Sequence, residues 1–542
     1  MPTDPNIALG SSLAARLRDA AALTPQKPFC TFLSRGKDEA ITYGELYDRS
    51  CAYARFLSGH GVAPGAVVLI ILRHSPHLFY SFFGAVLAGA IPSFMPFPTP
   101  KQRGDLYWSD HETLFARIEP ALIVTYKENR DTALAALPHL RVPIVVEEET
   151  ALVTPDSREY PGLHAEYDSV ACLQHSSGTT GLKKGVMLTH RAIDLQVGAY
   201  AESIGLDSND RVASWLPLYH DMGFITSFLM VVLRGLHVVA LDPFEWVMRP
   251  GLLLDSIEKY RATLTWLPNF AFAHLANATK PGARWDLSSM RAFISCSEPC
   301  KPRAFERFLS RFRDCGVTEQ MLAISYAMAE NVFGVTQTKL GGAPRTVRGV
   351  LSCGEPLPGV RVAVARGENF AENGTVGEIA VTSPFLFSGY YGLADATRSK
   401  LRDGWYATGD LGFVDGGELF VTGRLDDMLI VNGRNYYAHD IEEAVSELPG
   451  CIPGRAVAIT VEDPATGAEG LVVIAEHEDA AEPAMTAVGI KASLLERFGL
   501  AVHAVVVLPA GRLVKTTSGK IGRNKNKELY LAGDFAGAET NV

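Results

Sequence analysis

Short apolar runs recur through the first half of this chain: VVLIIL at 67–72, LIVT at 122–125, IVV at 144–146 and LHVVAL at 236–241. A strand with one wet face would alternate apolar and polar residues, and these runs do not. Both faces are therefore buried, which is the habit of strands in parallel sheets. Between them lie segments of helical apolar spacing, at 77–90 and 253–261. Strand-like runs alternating with helices predict an α/β fold built on parallel sheets.

At 542 residues the chain is too long for one core and predicts roughly two to four domains. After about Gly354 the texture changes to short strands with turn residues, as in NGTVGEIAVTS and VDGGELFVTGR, where Gly416-Gly417 reads as a hairpin turn. From about Met428, helical spacing at 440–448 and 486–498 mixes with strand-like runs at 456–461 and 471–476. This predicts a separate, small α+β domain.

A net charge of −10 argues against non-specific nucleic-acid binding. The most apolar stretch, 224–233, is about half the length of a membrane span and stops at Arg234. MPTDPNIALG lacks the basic and apolar regions of a signal peptide. Eight scattered cysteines, with only Cys296 and Cys300 close together, read as reduced thiols. A cytoplasmic protein with no membrane span is expected.

HSSGTTGLKKG, at 175–185, packs two serines, two threonines and three glycines beside Lys183 and Lys184. Glycine lets backbone approach a ligand closely, and hydroxyls and backbone N–H groups donate to anionic oxygens. The run suits a phosphate-holding loop, although it is not the P-loop pattern. By itself it also suits a flexible linker. Further motifs follow in order: YAMAE (326–330), GWYATGDLG (404–412), TGRLDD (422–427) and KTTSGKIGR (515–523).

Taken in this order, the motifs resemble the adenylate-forming superfamily of acyl-CoA synthetases, fatty acyl-AMP ligases and adenylation domains. WLPLYHDMGF (215–224), LPNFAF (267–272) and GRNYYAHDIE (433–442) look like fatty acyl-AMP ligase signatures in particular. The resemblance implies a large N-terminal domain, 1–423, of two doubly wound α/β subdomains plus a small β-barrel. It also implies a hinge at 424–427, pivoting at Asp426, and a small mobile α+β lid, 428–542.

It further implies ATP and Mg²⁺ as cofactors and a medium- or long-chain fatty acid as substrate. The acceptor is a phosphopantetheine thiol, of an acyl carrier protein or CoA. Ser176, Ser177, Gly178, Thr179, Thr180, Gly181 and Lys184 are expected to cradle the β- and γ-phosphates. Tyr326 is expected to stack on adenine, whose pocket Ser297, Glu298 and Pro299 line, and Ala327, Met328 and Ala329 are expected among the nucleotide-binding residues. Glu330 is expected to reach Mg²⁺, a hard cation that takes carboxylate oxygen. Asp410 is expected to accept the ribose hydroxyls, with Arg424 on ribose or phosphate. Lys520 is the expected catalytic lysine, between the substrate carboxylate and the α-phosphate, and His220 sits at the acyl carboxylate. Trp266, Asn269, Phe270 and Phe272 are expected to line the acyl pocket.

Taken singly, these residues have ordinary readings: Asp410 as a turn acid, Lys520 as a surface lysine, Tyr326 and Phe272 as core. Their order in the chain is what outweighs those readings. The segment 331–350 is short where fatty acyl-AMP ligases carry an insertion, so CoA and a carrier protein both stand as acceptors. A general acyl-CoA ligase, a stand-alone adenylation domain for another acid and a non-catalytic adenylate-binding protein are the alternatives.

Overall fold

The apolar runs form the middle of two extended sheets. In a computed structural model of the protein, described over residues 10–34, 36–98, 104–154, 159–175, 184–280, 282–297, 300, 302–367, 369–431, 434–462, 469–478, 483–515, 521–535 and 538–540, the chain divides into two compact units. Of the described residues, one comprises those up to His175 and Lys184–Thr408 together with Phe413–Val421; the other has Gly409–Gly412 and those from Thr422 onward.

The first unit holds a six-stranded sheet with strands in the order 144–146, 122–125, 67–71, 91–94, 170–175, 185–189. Its pairs are parallel except the last. A nine-stranded sheet has a parallel middle made of Pro28–Ser34, His237–Leu241, Arg211–Ser214, Leu264–Leu267, Ala292–Ser295 and Leu322–Ala327. Antiparallel strands close both of its ends. Strands Arg361–Arg366 and Gly377–Thr382 pair antiparallel in a third sheet. Helix starts follow local chemistry: Ser12, Thr42 and Thr189 each accept a backbone N–H three residues on, which satisfies a donor the helix leaves open.

The apolar stretch at 224–233 is a core helix. It runs from Asp221 to Leu233 with a π-helical segment, Ile225–Leu229, in its middle. Phe224 and Phe228 are buried there in an aromatic cluster with Phe29, Phe79, Phe82 and Phe94. Among the described residues, no helix is long and apolar enough to cross a membrane.

The second unit builds its own core. Strands Cys451–Glu462, Glu469–His477 and Ala504–Pro509 form the body of a four-stranded sheet. Helices Ala438–Ser446 and Pro483–Phe498 contribute Ile441, Val445, Ile490 and Leu494 to that core.

Candidate functional site

Five motifs lie just past the C-terminal ends of strands in the first unit. Strand Val170–His175 precedes the Ser/Gly loop, Arg211–Ser214 precedes WLPLYHD, and Leu264–Leu267 precedes Asn269. Ala292–Ser295 precedes Ser297, and Leu322–Ala327 precedes Glu330. Open α/β sheets bind ligands at this edge. Side chains tie the motifs together there. Gln174 donates to the Tyr219 carbonyl at 3.2 Å. The Asp221 carboxylate lies close enough to Cys296 to help burial push that thiol up to about 12. Ser297 holds a left-handed backbone, φ 72°, a conformation that L side chains rarely adopt.

Glu330 is the centre of one cluster. Its side chain is buried and accepts a hydrogen bond from the Tyr390 hydroxyl at 2.7 Å. The Tyr406 hydroxyl is 3.1 Å from that of Tyr390. Burial, reinforced by the Glu330 charge, pushes both phenols far up, so both stay protonated and able to donate. Lys184 Nζ sits 4.9 Å from the centroid of the Tyr390 ring, within cation–π range. One tyrosine therefore touches both the acid of YAMAE and the lysine that closes the Ser/Gly loop.

The backbone beside Glu330 is strained. Val332 adopts φ 64°, ψ −54°, and Phe333 N donates to the Asn331 carbonyl at 2.7 Å, closing a tight γ-turn. For a β-branched residue this costs on the order of 1–3 kcal/mol and persists only where the surroundings enforce it. Asn331 enforces it here. Fully buried, it donates to the Gly334 carbonyl at 2.7 Å and accepts from Ser383 at 2.6 Å. The Glu330 carbonyl also accepts from Phe387 N at 2.8 Å. Sequence reasoning passed over Asn331, Ser383, Tyr390 and Tyr406. Only the Gly-Tyr-Tyr run at 389–391 carried a signal, an aromatic pair after glycine.

Of the other expected residues, His220 starts the core helix, and its carbonyl accepts from Phe224 N at 2.8 Å. Tyr326 and Ala329 are buried, while Ala327 and Met328 are half-buried. In the second unit, Asp410 and Arg424 pair with each other, Oδ1 to Nε, at 2.9 Å. Asp426 is exposed in the short turn Leu425–Asp427. Ser176, Ser177, Gly178, Thr179, Thr180, Gly181, Glu298, Pro299 and Lys520 lie outside the described residues.

The expected acyl-pocket aromatics do not share a wall. Trp266 is fully buried and donates from Nε1 to the Tyr200 hydroxyl at 2.7 Å. Phe272 is fully buried in a different core, against Phe305 and Phe308. Phe270 is 43% exposed, edge-on to Trp215 and Trp246, and Asn269 is half-buried beside it. The reason is periodicity. Phe270 and Phe272 are two positions apart on a helix, so they face nearly opposite ways.

An apolar cavity, partly open to solvent, lies among residues of five other segments. Phe79, Phe94, Met95, Leu216, Leu218 and Val238 are among its walls. Ser227, from the π-helical segment, also faces it. Such bulges recur at functional sites.

A sequence profile of AMP-binding enzymes matches residues 17–391. A profile of the AMP domain of Disco-interacting protein 2-like proteins matches residues 426–539. The chain is similar to the medium-chain-fatty-acid–(acyl-carrier-protein) ligase JamA of Moorena producens, 28% identical over 94% of each chain. It is 29% identical to the long-chain-fatty-acid–AMP ligase FadD26 of Mycobacterium bovis, over 97% of this chain and 98% of that one. A structure from studies of the E. coli and L. pneumophila fatty acyl-adenylate ligases matches with a TM-score of 0.88 at 26% identity, covering 97% of this chain and 99% of the other. McyG A-PCP, complexed with phenylalanyl-adenylate, has the same TM-score of 0.88 at 23% identity, over 98% of this chain and 86% of that one. This second likeness is one of fold.

Proposed function

The chain belongs to the AMP-binding enzyme family, and on that premise we propose that it activates a fatty acid with ATP and passes the acyl group to a phosphopantetheine thiol. The acid's carboxylate attacks the α-phosphorus, pyrophosphate leaves, and acyl-AMP remains. The thiol, of a carrier protein or of CoA, then displaces AMP. Ligases named for fatty acids among the relatives support the substrate class, and JamA's name supports a carrier protein as acceptor.

The observation that carries this reading is Tyr390, which contacts Glu330 with its hydroxyl and Lys184 with its ring. A polyphosphate needs a cation and a metal-holding acid on the same side of the chain, and one side chain spans the two. The residues present fit Mg²⁺: a hard carboxylate at Glu330 is the kind of donor that this ion takes alongside phosphate oxygens. Bound there, Mg²⁺ would neutralise charge on the phosphates. Tyr390 holds the carboxylate in place and Lys184 adds fixed positive charge. Ser176, Ser177, Gly178, Thr179, Thr180 and Gly181 would donate to phosphate oxygens. Tyr326, backed by Ser297, Glu298 and Pro299, would hold adenine. His220 would meet the acid's carboxylate. No covalent enzyme intermediate is needed, because positioning and charge carry such a transfer.

In the second unit, Asp410 would accept the ribose hydroxyls, with its Arg424 partner orienting it. Asn at 410 would turn an acceptor-only group into a mixed one. We expect Asp410→Asn to raise the KM for ATP about tenfold, the scale of one charged hydrogen bond, while the KM for the acid stays put. Initial rates at varied ATP and varied acid separate the two, and a shift confined to the acid would refute the ribose role. Residues 428–542 are proposed as the lid carrying Lys520, and Asp426 as the pivot between the two half-reactions.

The carbon chain is proposed to occupy the apolar cavity at Phe79, Phe94 and Val238. Each buried CH₂ contributes about 0.8 kcal/mol, so KM should fall with each added carbon until the cavity is full. Pyrophosphate release over a homologous series of acids tests the substrate class. Preference for acetate, an aromatic acid or an amino acid would overturn it.

A further inference from the structure

Glu330, the acid proposed for Mg²⁺, is held at three points by a single segment of chain, 383–391. The segment joins the strand Gly377–Thr382 to the helix Ala394–Lys400. Its Tyr390 hydroxyl donates to the Glu330 carboxylate at 2.7 Å, and its Phe387 N donates to the Glu330 carbonyl at 2.8 Å. Its Ser383 hydroxyl donates at 2.6 Å to Oδ1 of Asn331, the residue after Glu330. The first two contacts touch Glu330 directly. The third acts through its neighbour.

That third contact bears on where the carboxylate points. Glu330 sits in the short turn Ala329–Asn331, and the chain leaves it through Val332 at φ 64°, ψ −54°. A β-branched residue keeps that conformation only where its neighbours impose it. The Asn331 side chain imposes it by bridging: its amide nitrogen donates to the Gly334 carbonyl at 2.7 Å, beyond the turn, while its oxygen accepts from Ser383. Asn331 is fully buried, so losing the Ser383 hydroxyl deprives a sealed oxygen of its donor, which is costly, and frees the amide to turn. Ser383 Oγ in turn accepts from Phe385 N at 3.3 Å. The rest of the segment is fixed without Ser383. Ser388 N donates to the Met187 carbonyl at 3.0 Å, Met187 N to the Gly389 carbonyl at 3.0 Å, and Tyr391 N to the Gly185 carbonyl at 2.8 Å. Ser383 therefore sets the turn against a frame that stays in place.

We propose that Ser383 is a positioning residue for the metal site: through Asn331 it holds the turn that aims the Glu330 carboxylate at Mg²⁺ on the ATP phosphates. This rests on the Mg²⁺ reading above and deepens it. Groups that orient a metal-binding carboxylate without touching the ion typically govern metal affinity by about 10- to 100-fold. An effect that passes through Glu330 needs the ion, so it should be confined to the metal-bound nucleotide.

The test is equilibrium binding of α,β-methylene-ATP, which cannot release pyrophosphate, to the full chain, by calorimetry with Mg²⁺ and with EDTA. Wild type should bind it more tightly with Mg²⁺, and the ratio of the two Kd values is the readout. Ser383→Ala should bring that ratio down about tenfold, toward one, with the Mg²⁺-free Kd unchanged. Ser383→Thr, which keeps the hydroxyl, should restore it. Ser383→Cys, a weaker donor, should fall between the two and stands in if the Ala variant does not fold. A wild-type ratio in Ser383→Ala, or binding weakened equally with and without Mg²⁺, overturns the proposal. Glu330→Gln separates this from the metal reading. If Glu330→Gln lowers the ratio and Ser383→Ala does not, the positioning role falls and the metal acid stands. If wild type shows no Mg²⁺ dependence, or Glu330→Gln keeps it in full, the metal reading falls and takes the proposal with it.

Discussion

Lys520→Ala is expected to lower acyl-AMP formation on the order of 10²- to 10³-fold, the scale at which a single preorganised electrostatic group contributes. Carboxylate and α-phosphate are both anionic, and negative charge concentrates between them as the new P–O bond forms. An ammonium group held there strengthens its interaction as that charge grows. The loss should therefore appear in kcat more than in the KM for either substrate. The described residues on either side of Lys520 are tied to each other without its side chain. Gly522 N donates to the Val514 carbonyl at 3.0 Å, and Asn526 bonds both the N–H and the carbonyl of Val514, at 3.0 and 2.9 Å. Thermal unfolding of the variant should accordingly match wild type. Pyrophosphate release near the wild-type rate would remove Lys520 from the mechanism.

Arg523→Leu is expected to act on stability instead, by about 3–5 kcal/mol, the usual cost of removing one partner from a buried ion pair. The Arg523 side chain is 14% exposed, and it pairs with Asp427 and, at 2.7 Å, with Glu442. Glu442 Oε1 also accepts from Ala458 N at 3.0 Å. Burial pushes the Glu442 carboxyl up, against the pull of Arg523. Without the guanidinium, two carboxylates are left together with nothing to oppose them. A carboxyl whose folded pKa is raised costs stability once pH exceeds that value, and the cost fades as pH falls through it. The deficit should therefore shrink in mildly acidic buffer. Arg523→Lys keeps the charge but not the two-pronged donor, and should fall between the two. Denaturant titrations at neutral and acidic pH measure each effect. A midpoint equal to wild type at neutral pH would show that the cluster contributes nothing net.

The parallel core strands were legible because their signal is local. VVLIIL at 67–72 is apolar without alternation, and it became strand 67–71, fully buried. The helix at 253–261 was legible for a similar reason: spacing of three and four residues marks one face, and Leu253, Leu254 and Ile257 are buried together. Where the acyl-pocket residues point was not legible in the same way, because neighbours in sequence need not share a wall. Phe270 and Phe272 sit on one helix but face solvent and core respectively, because two residues span only about half a helical turn.

By itself the sequence determined the order of the motifs, the chemistry each could offer and the family to which the chain belongs. Glycine and hydroxyl content, carboxylates and lysines are properties of residues wherever they fold. Which of them meet was decided only by the tertiary structure. Tyr390 reaches Glu330 across 60 positions of chain, and Arg523 reaches Asp427 across 96 and Glu442 across 81. Phe79, Leu216 and Val238 share a cavity although they come from three separate segments. In a parallel sheet, neighbouring strands are joined by crossovers of a dozen residues or more. Side chains that touch at a sheet edge therefore carry no common local signature, and the pairing of acid, phenol and lysine at Tyr390 came into being only when those crossovers packed.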